Sequence, residues 1–117
     1  MTNQTRALYE RAIAHFGEIT QIVKAMEEAG ELVQAVAKYL CMADLPMSDA
    51  EAEYAKRTKD HLAEEIADVR IMLDQLEMIA DCHDQVGRWK WKKIRRLRER
   101  IEEDEAHFCG DAKPREG

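Results

Sequence analysis

Two short stretches of this chain crowd acidic residues onto what reads as helix. "KAMEEAGELVQAV", Lys24 to Val36, carries Glu27, Glu28 and Glu31, and "HLAEEIADVRIML", His61 to Leu73, carries Glu64, Glu65 and Asp68. On a helix i and i+3 are neighbours, so Glu28 pairs with Glu31 and Glu65 with Asp68; such like charges destabilise it by about 0.2–0.5 kcal/mol per pair. Glu65 sits between Leu62 and Val69 with Ile66 beside it, and Asp68 lies one turn before Met72. Glu28 precedes Leu32 by four residues, at the edge of an apolar stripe. An ionised carboxylate beside a core face is costly unless something compensates it. Either some of the four are protonated or a cation holds them. Carboxylate oxygens on two helices are hard ligands, the set that suits Mg²⁺, with Mn²⁺ as a substitute. No His or Cys is read at ligand spacing within either cluster, which argues against zinc. Glu27 and Glu64 fall on other faces, where they are either solvated or support the metal site. The plainer alternative for each stretch is a solvated acidic face.

A second charged feature lies further on. "RWKWKKIRRLRER", Arg88 to Arg100, holds eight basic residues against one acidic, so it carries +7 while the remaining residues carry −13 of the net −6. An acidic body with one basic helix calls for an anion or an acidic partner. Lys93, Arg96 and Arg100 share a face at i, i+3 and i+7. Trp89 and Trp91 are able to stack on a base, although Trp91 falls in line with Ile94 as a core residue. His15, His61, His83 and His107 read as surface residues.

The elements that must position these groups are helical. Gly and Pro total seven, four of them beyond residue 85, so long stretches run without a breaker. No segment alternates cleanly between apolar and polar, which argues against strands. A first helix is expected over Thr5 to Phe16, with Leu8, Ala12 and Phe16 in a row. A second runs from Glu18 to Met42 with a stripe of Ile22, Met26, Val33, Val36, Ala37 and Leu40, separated from the first by Gly17 or joined to it through a kink. Pro46 in "ADLPMSDAE" breaks the chain, and Ser48 with Glu51 three residues on forms a capping box. The third helix should run from Asp49 to Ile79 or beyond. Its first half is polar, and its second half carries Leu62, Ile66, Val69, Leu73, Leu76 and Ala80. "DCHDQVG" marks a weak break around Gly87. The fourth helix then covers Trp89 to about Glu105, with Trp91, Ile94, Leu97 and Ile101 on its apolar face. The fold class is therefore all-α, a bundle of three to four helices per chain. Residues 1–108 form the domain, and residues 109–117 are a polar tail expected to be disordered. Two long helices with wide stripes lack cover within one chain of 117 residues. The core is thus expected to be completed by homodimerisation into a four-helix-bundle-like arrangement.

Composition narrows the setting. Cys41, Cys82 and Cys109 are odd in number and far apart, so neither a disulfide framework nor a zinc knuckle is indicated. No apolar run reaches membrane-spanning length, and "MTNQTRALYERA" has no signal-peptide core. A cytoplasmic protein without a membrane partner is expected.

E-E-x-x-E followed by E-x-x-D on a later helix, here "EEAGE" from Glu27 to Glu31 and "EIAD" from Glu65 to Asp68, resembles the MazG-like, all-α nucleoside triphosphate pyrophosphohydrolases. The likeness spans roughly Ile22 to Arg100. Thirty-three residues separate Glu31 from Glu65, more than is usual in that family. The resemblance implies Mg²⁺ on Glu28, Glu31, Glu65 and Asp68. It also implies a nucleoside triphosphate cleaved between its α- and β-phosphates to monophosphate and pyrophosphate, and a homodimer or homotetramer. Lys93, Arg96 and Arg100 match the family's basic stretch and are candidates for phosphate binding. Glu27 and Glu64 are candidates to orient or deprotonate the attacking water. A nucleic-acid-binding module built on residues 88–100 is the alternative. It leaves the acidic pairs unexplained, and the remaining −13 would repel DNA. A di-iron bundle wants E-x-x-H pairs, which the chain lacks.

Overall fold

The computed structural model describes residues 1–42 and 48–112, and it is all-α. Four helices follow in order: α1 (Asn3–Phe16), α2 (Glu18–Met42), α3 (Asp49–Ala80) and α4 (His83–Ala112). None is long and apolar enough to cross a membrane. The chain divides into two compact units, one of residues Met1–Asp81 and one beginning at Cys82.

Local chemistry sets the helix ends. The Thr2 side chain accepts a hydrogen bond from the Thr5 N–H at 3.1 Å and starts α1 two residues earlier than the apolar row predicts. Gly17 lies at φ +93°, a conformation that L side chains rarely adopt, and so divides α1 from α2. Ser48 and Glu51 form the expected capping box, each side chain bonded to the other's backbone N–H at 3.2 Å. The Pro46 break lies outside the described residues.

The break after α3 falls elsewhere than expected. Asp81, at φ 50° and ψ 50°, ends α3 with its N–H turned back to the carbonyls of Glu77 and Met78. Asp tolerates this left-handed geometry, so no glycine is needed. Gly87 sits inside α4, which starts at His83 rather than Trp89 and runs to Ala112 rather than about Glu105. Helix thus covers 109–112 of the segment expected as a tail; residues 113–117 lie outside the described residues.

In the first unit α2 and α3 form an antiparallel hairpin, and α1 packs on both. The α2 residues turned to the seam are Gln21, Ala25, Glu28, Leu32 and Ala35. Those of α3 are Thr58, Leu62, Glu65, Val69 and Met72, with Gln75 buried further along. Both rows alternate steps of four and three, the rhythm of a coiled-coil seam. Alanines at 25 and 35 let the helices approach closely. The Gln21 Nε2 donates to the Gln75 Oε1 across the seam at 2.7 Å, both residues buried.

The bulky stripe expected to form the core of α2 is therefore not the seam. Met26, Val33 and Leu40 are 69%, 68% and 72% exposed, and Ile22 and Val36 are exposed as well. A stripe chosen by side-chain bulk lies about 100° round the helix from one chosen by closeness of approach. On α1, likewise, Leu8 and Phe16 are exposed, and Thr5, Tyr9, Ala12 and Ile13 are the half-buried residues. On α3, Leu62, Val69 and Leu76 are half-buried, whereas Ile66 and Leu73 are exposed.

Candidate metal centre

The two seam rows are related by a constant offset of 37 residues: 21, 25, 28, 32 and 35 on α2 match 58, 62, 65, 69 and 72 on α3. The polar residues beside them follow the same offset. Lys24, Glu27, Glu28 and Glu31 correspond to His61, Glu64, Glu65 and Asp68. In an antiparallel pair this equivalence is a local two-fold relation whose axis passes between Glu28 and Glu65. A one-residue step turns both antiparallel helices toward the same side of the hairpin. One side therefore collects Lys24, Glu27, Glu31, His61, Glu64 and Asp68. The other collects the exposed apolar residues Ile22, Met26, Val33, Val36 and Leu40 of α2 with Ile66 and Leu73 of α3.

Glu28 and Glu65 occupy the middle of the seam, 7% and 5% exposed. Oxygens of Glu28, Glu31 and Glu65 all lie within 4.8 Å of one another, and so do oxygens of Glu64, Glu65 and Asp68. Glu65 belongs to both groups. Glu31 and Glu64 are exposed and Asp68 is half-buried. The cluster thus has a buried floor of two carboxylates and an open rim of three.

The floor is only half compensated. The Lys24 Nζ lies 3.0 Å from the Glu28 Oε1, and the His61 Nε2 lies 3.9 Å from the Glu65 Oε1, an ion pair only when the imidazole is protonated. The second oxygen of each, the Glu28 Oε2 and the Glu65 Oε2, is buried without a hydrogen-bond partner. A buried acceptor left unsatisfied costs about 1–3 kcal/mol, and more when charged. Two unit charges about 4 Å apart repel by about 4 kcal/mol at an effective dielectric near 20. The effect reaches the rim: the Glu31 carboxyl is held above the ordinary glutamate value of 4.5, chiefly by the charge of Glu28, with desolvation and Glu65 adding to it. Lys24 is pushed above its ordinary 10.5 by its hydrogen bond to Glu28 and by that residue's charge.

Five carboxylates with two unpartnered buried oxygens at their centre form a donor set that fits a hard divalent cation. Glu28, Glu31, Glu65 and Asp68 all fall in the two groups, as does Glu64; Glu27 falls in neither. Glu27 instead lines a cleft of about 480 Å³ with Phe16, Ile19, Gln21, Lys24 and Met72. Lys93, Arg96 and Arg100 are exposed on α4, in the second unit. There the Lys92 ammonium lies 5.2 Å over the Trp89 ring and the Arg95 guanidinium 5.1 Å over that of Trp91, so both indoles meet cations of their own helix.

Sequence reasoning missed Lys24 and read His61 only as the surface residue it is; the signal of both was their shared place four residues before the buried glutamates. It also missed the polar seam residues Gln21, Thr58 and Gln75, which carry no such signal. No family model, curated protein or solved structure matches the chain.

Proposed function

We propose that this chain is a Mg²⁺-dependent nucleoside triphosphate pyrophosphohydrolase of the MazG-like kind, acting on standard or aberrant NTPs or dNTPs in nucleotide-pool house-cleaning. The observation that carries the reading is the pair of buried, facing glutamates, Glu28 and Glu65, each with an unpartnered oxygen. Stability is given up at that point for a cation.

Glu28, Glu31, Glu65 and Asp68 would hold the metal, with Mn²⁺ able to substitute. When bound, the cation supplies charge neutralisation for the triphosphate and lowers the pKa of a coordinated water. Glu64 shares the Glu65–Asp68 group and is the better placed of the two candidate carboxylates to orient that water and accept its proton. Glu27 serves the neighbouring cleft instead. The cleft falls within the ~300–1,000 Å³ range of small-molecule sites, and its apolar walls, Phe16, Ile19 and Met72, suit the flat face of a base. Water oxygen bonds to the α-phosphorus as the bond to the bridging α–β oxygen breaks. Pyrophosphate leaves with that electron pair. Lys93, Arg96 and Arg100, exposed on α4, are proposed as phosphate-binding cations.

The exposed apolar side of the hairpin supports a homodimer, or a homotetramer built from it, in which two hairpins make a four-helix core and leave the carboxylate side open. A cytoplasmic protein without a nucleic-acid partner is part of the same reading. The test is pyrophosphate release across a panel of NTPs, dNTPs and modified nucleotides with Mg²⁺. Absence of turnover on the whole panel, with helical content intact, rejects the activity. The second reading, a nucleic-acid module, rests on the exposed basic run of α4 and predicts metal-independent binding that weakens steeply with salt.

A further inference from the structure

We infer that Lys24 is a substrate-binding residue: it holds Glu28 in the free protein and transfers to a phosphate oxygen of the substrate when a divalent cation engages the carboxylates. The inference rests on the catalytic reading above and deepens it by naming a phosphate ligand on the hairpin itself.

Three observations carry it. Lys24 lies on the open side of the hairpin, on the same side of α2 as Glu27 and Glu31. Its Nζ is 3.0 Å from the Glu28 Oε1, while its side chain is 51% exposed. The ammonium therefore stands at the rim of the cluster, tied to the floor by one contact. The other oxygen of the same carboxylate is buried and unpartnered. A divalent cation drawing on Glu28 competes directly with the ammonium for one carboxylate, and the two positive charges repel. Metal binding thus loosens Lys24 from Glu28 without moving its Cα away from the site. A lysine has a flexible four-carbon stem and three donors and acts as a mobile point charge toward phosphate. A metal-bound triphosphate still carries negative charge and presents non-bridging oxygens where the ammonium is released. His61 holds the equivalent place on α3, at the longer distance of 3.9 Å from Glu65. It neutralises its glutamate only when protonated, so the permanent cation of the pair is Lys24.

Two measurements on the purified chain test this, neither of them requiring turnover. The first is calorimetric affinity for Mg²⁺ alone. Lys24→Gln should bind Mg²⁺ about three- to tenfold more tightly than the parent, because the competing ammonium is gone. The second is affinity for inorganic tripolyphosphate at saturating Mg²⁺, a probe that needs no knowledge of the base. There Lys24→Gln should bind about tenfold more weakly, and Lys24→Arg should recover most of the loss. A residue that only props up Glu28 cannot move the two affinities in opposite directions. Unchanged or weaker Mg²⁺ binding in Lys24→Gln overturns the inference, as does tripolyphosphate affinity within twofold of the parent. A parent chain that binds no Mg²⁺ overturns the catalytic reading as well. A parent that binds Mg²⁺ and releases pyrophosphate, beside a Lys24→Gln variant without the opposed shifts, removes only the role of Lys24.

Discussion

Glu28 on α2 and Glu65 on α3 face each other across the hairpin seam, each with one carboxylate oxygen buried and unpartnered. Unpartnered buried acceptors of this kind weaken the fold. Glu65→Gln removes one charge, keeps the shape and offers Glu28 an amide donor. The metal-free melting temperature should rise, by the equivalent of about 1–3 kcal/mol, and the Mg²⁺-induced increase should vanish. A lower melting temperature in metal-free buffer would show that the pair is already satisfied.

Mg²⁺ should stabilise the parent chain by mass action. A ligand that binds only the folded state at about 100 times its Kd adds about 2.7 kcal/mol. Thermal melts across a Mg²⁺ titration should show a melting temperature climbing with the logarithm of concentration. Asp68→Asn should flatten that slope. A flat response in the parent removes the metal from the reading.

Acidity should act on the metal-free protein in a definite sense. The folded-state pKa of Glu31 is raised, so the folded chain binds more protons than the unfolded one above pH 4.5. This group's contribution is fully present below that pH and is lost as pH rises through the raised value. Lys24 is also raised, so its contribution holds below 10.5 and is lost only as pH climbs through its higher folded value. Chemical denaturation between pH 4 and 7 in a chelator should therefore compare Glu31→Gln with the parent: the variant should lose less stability over that interval. Identical pH profiles would contradict the coupling to Glu28.

The apolar side of the hairpin should determine the assembly state. Val33→Lys places a charge in the middle of the row formed by Ile22, Met26, Val36 and Leu40. Light scattering should find the parent at a multiple of the chain mass and the variant at half that mass or less. A monomeric parent would leave this row without a cover and refute the four-helix core.

Gly30 is a gentler probe. It lies inside α2, and a Cβ placed there meets nothing within 4 Å. Gly30→Ala should stabilise the chain by about 0.5–1 kcal/mol through helix propensity alone. A drop in the denaturation midpoint would mean that another surface closes on this position in the assembled protein.

The helices were legible because their signals are local. Gly17, the Ser48–Glu51 box and the 3.6-residue periodicity each act over a few residues. Asp81 was not legible, since an αL aspartate that ends a helix looks like any surface aspartate. The choice of seam was harder still. Periodicity shows where a stripe runs, but not whether it meets its own chain or another. In α2 the bulkier row, from Ile22 to Leu40, turned outward, and a row of Gln21, Ala25, Glu28 and Ala35 made the contact. The carboxylate pairs were legible as pairs; the burial of Glu28 follows only from knowing which row is the seam. Lys24 went unread and His61 was read only as the surface residue it is, because each looks ordinary until the two segments are laid over one another.

The 37-residue offset has a consequence for how the site tells one end of its ligand from the other. A cup made from two equivalent arms has no head or tail, yet the nucleotide proposed as its substrate has both. Whatever polarity the site possesses must come from the places where the arms differ. At the charged positions those are a permanent cation at 24 against a titratable imidazole at 61 and a longer carboxylate at 31 against a shorter one at 68, with a cleft beside Glu27. Exchanging Lys24 and His61 would leave the total inventory intact while reversing one of these differences and keeping the other two.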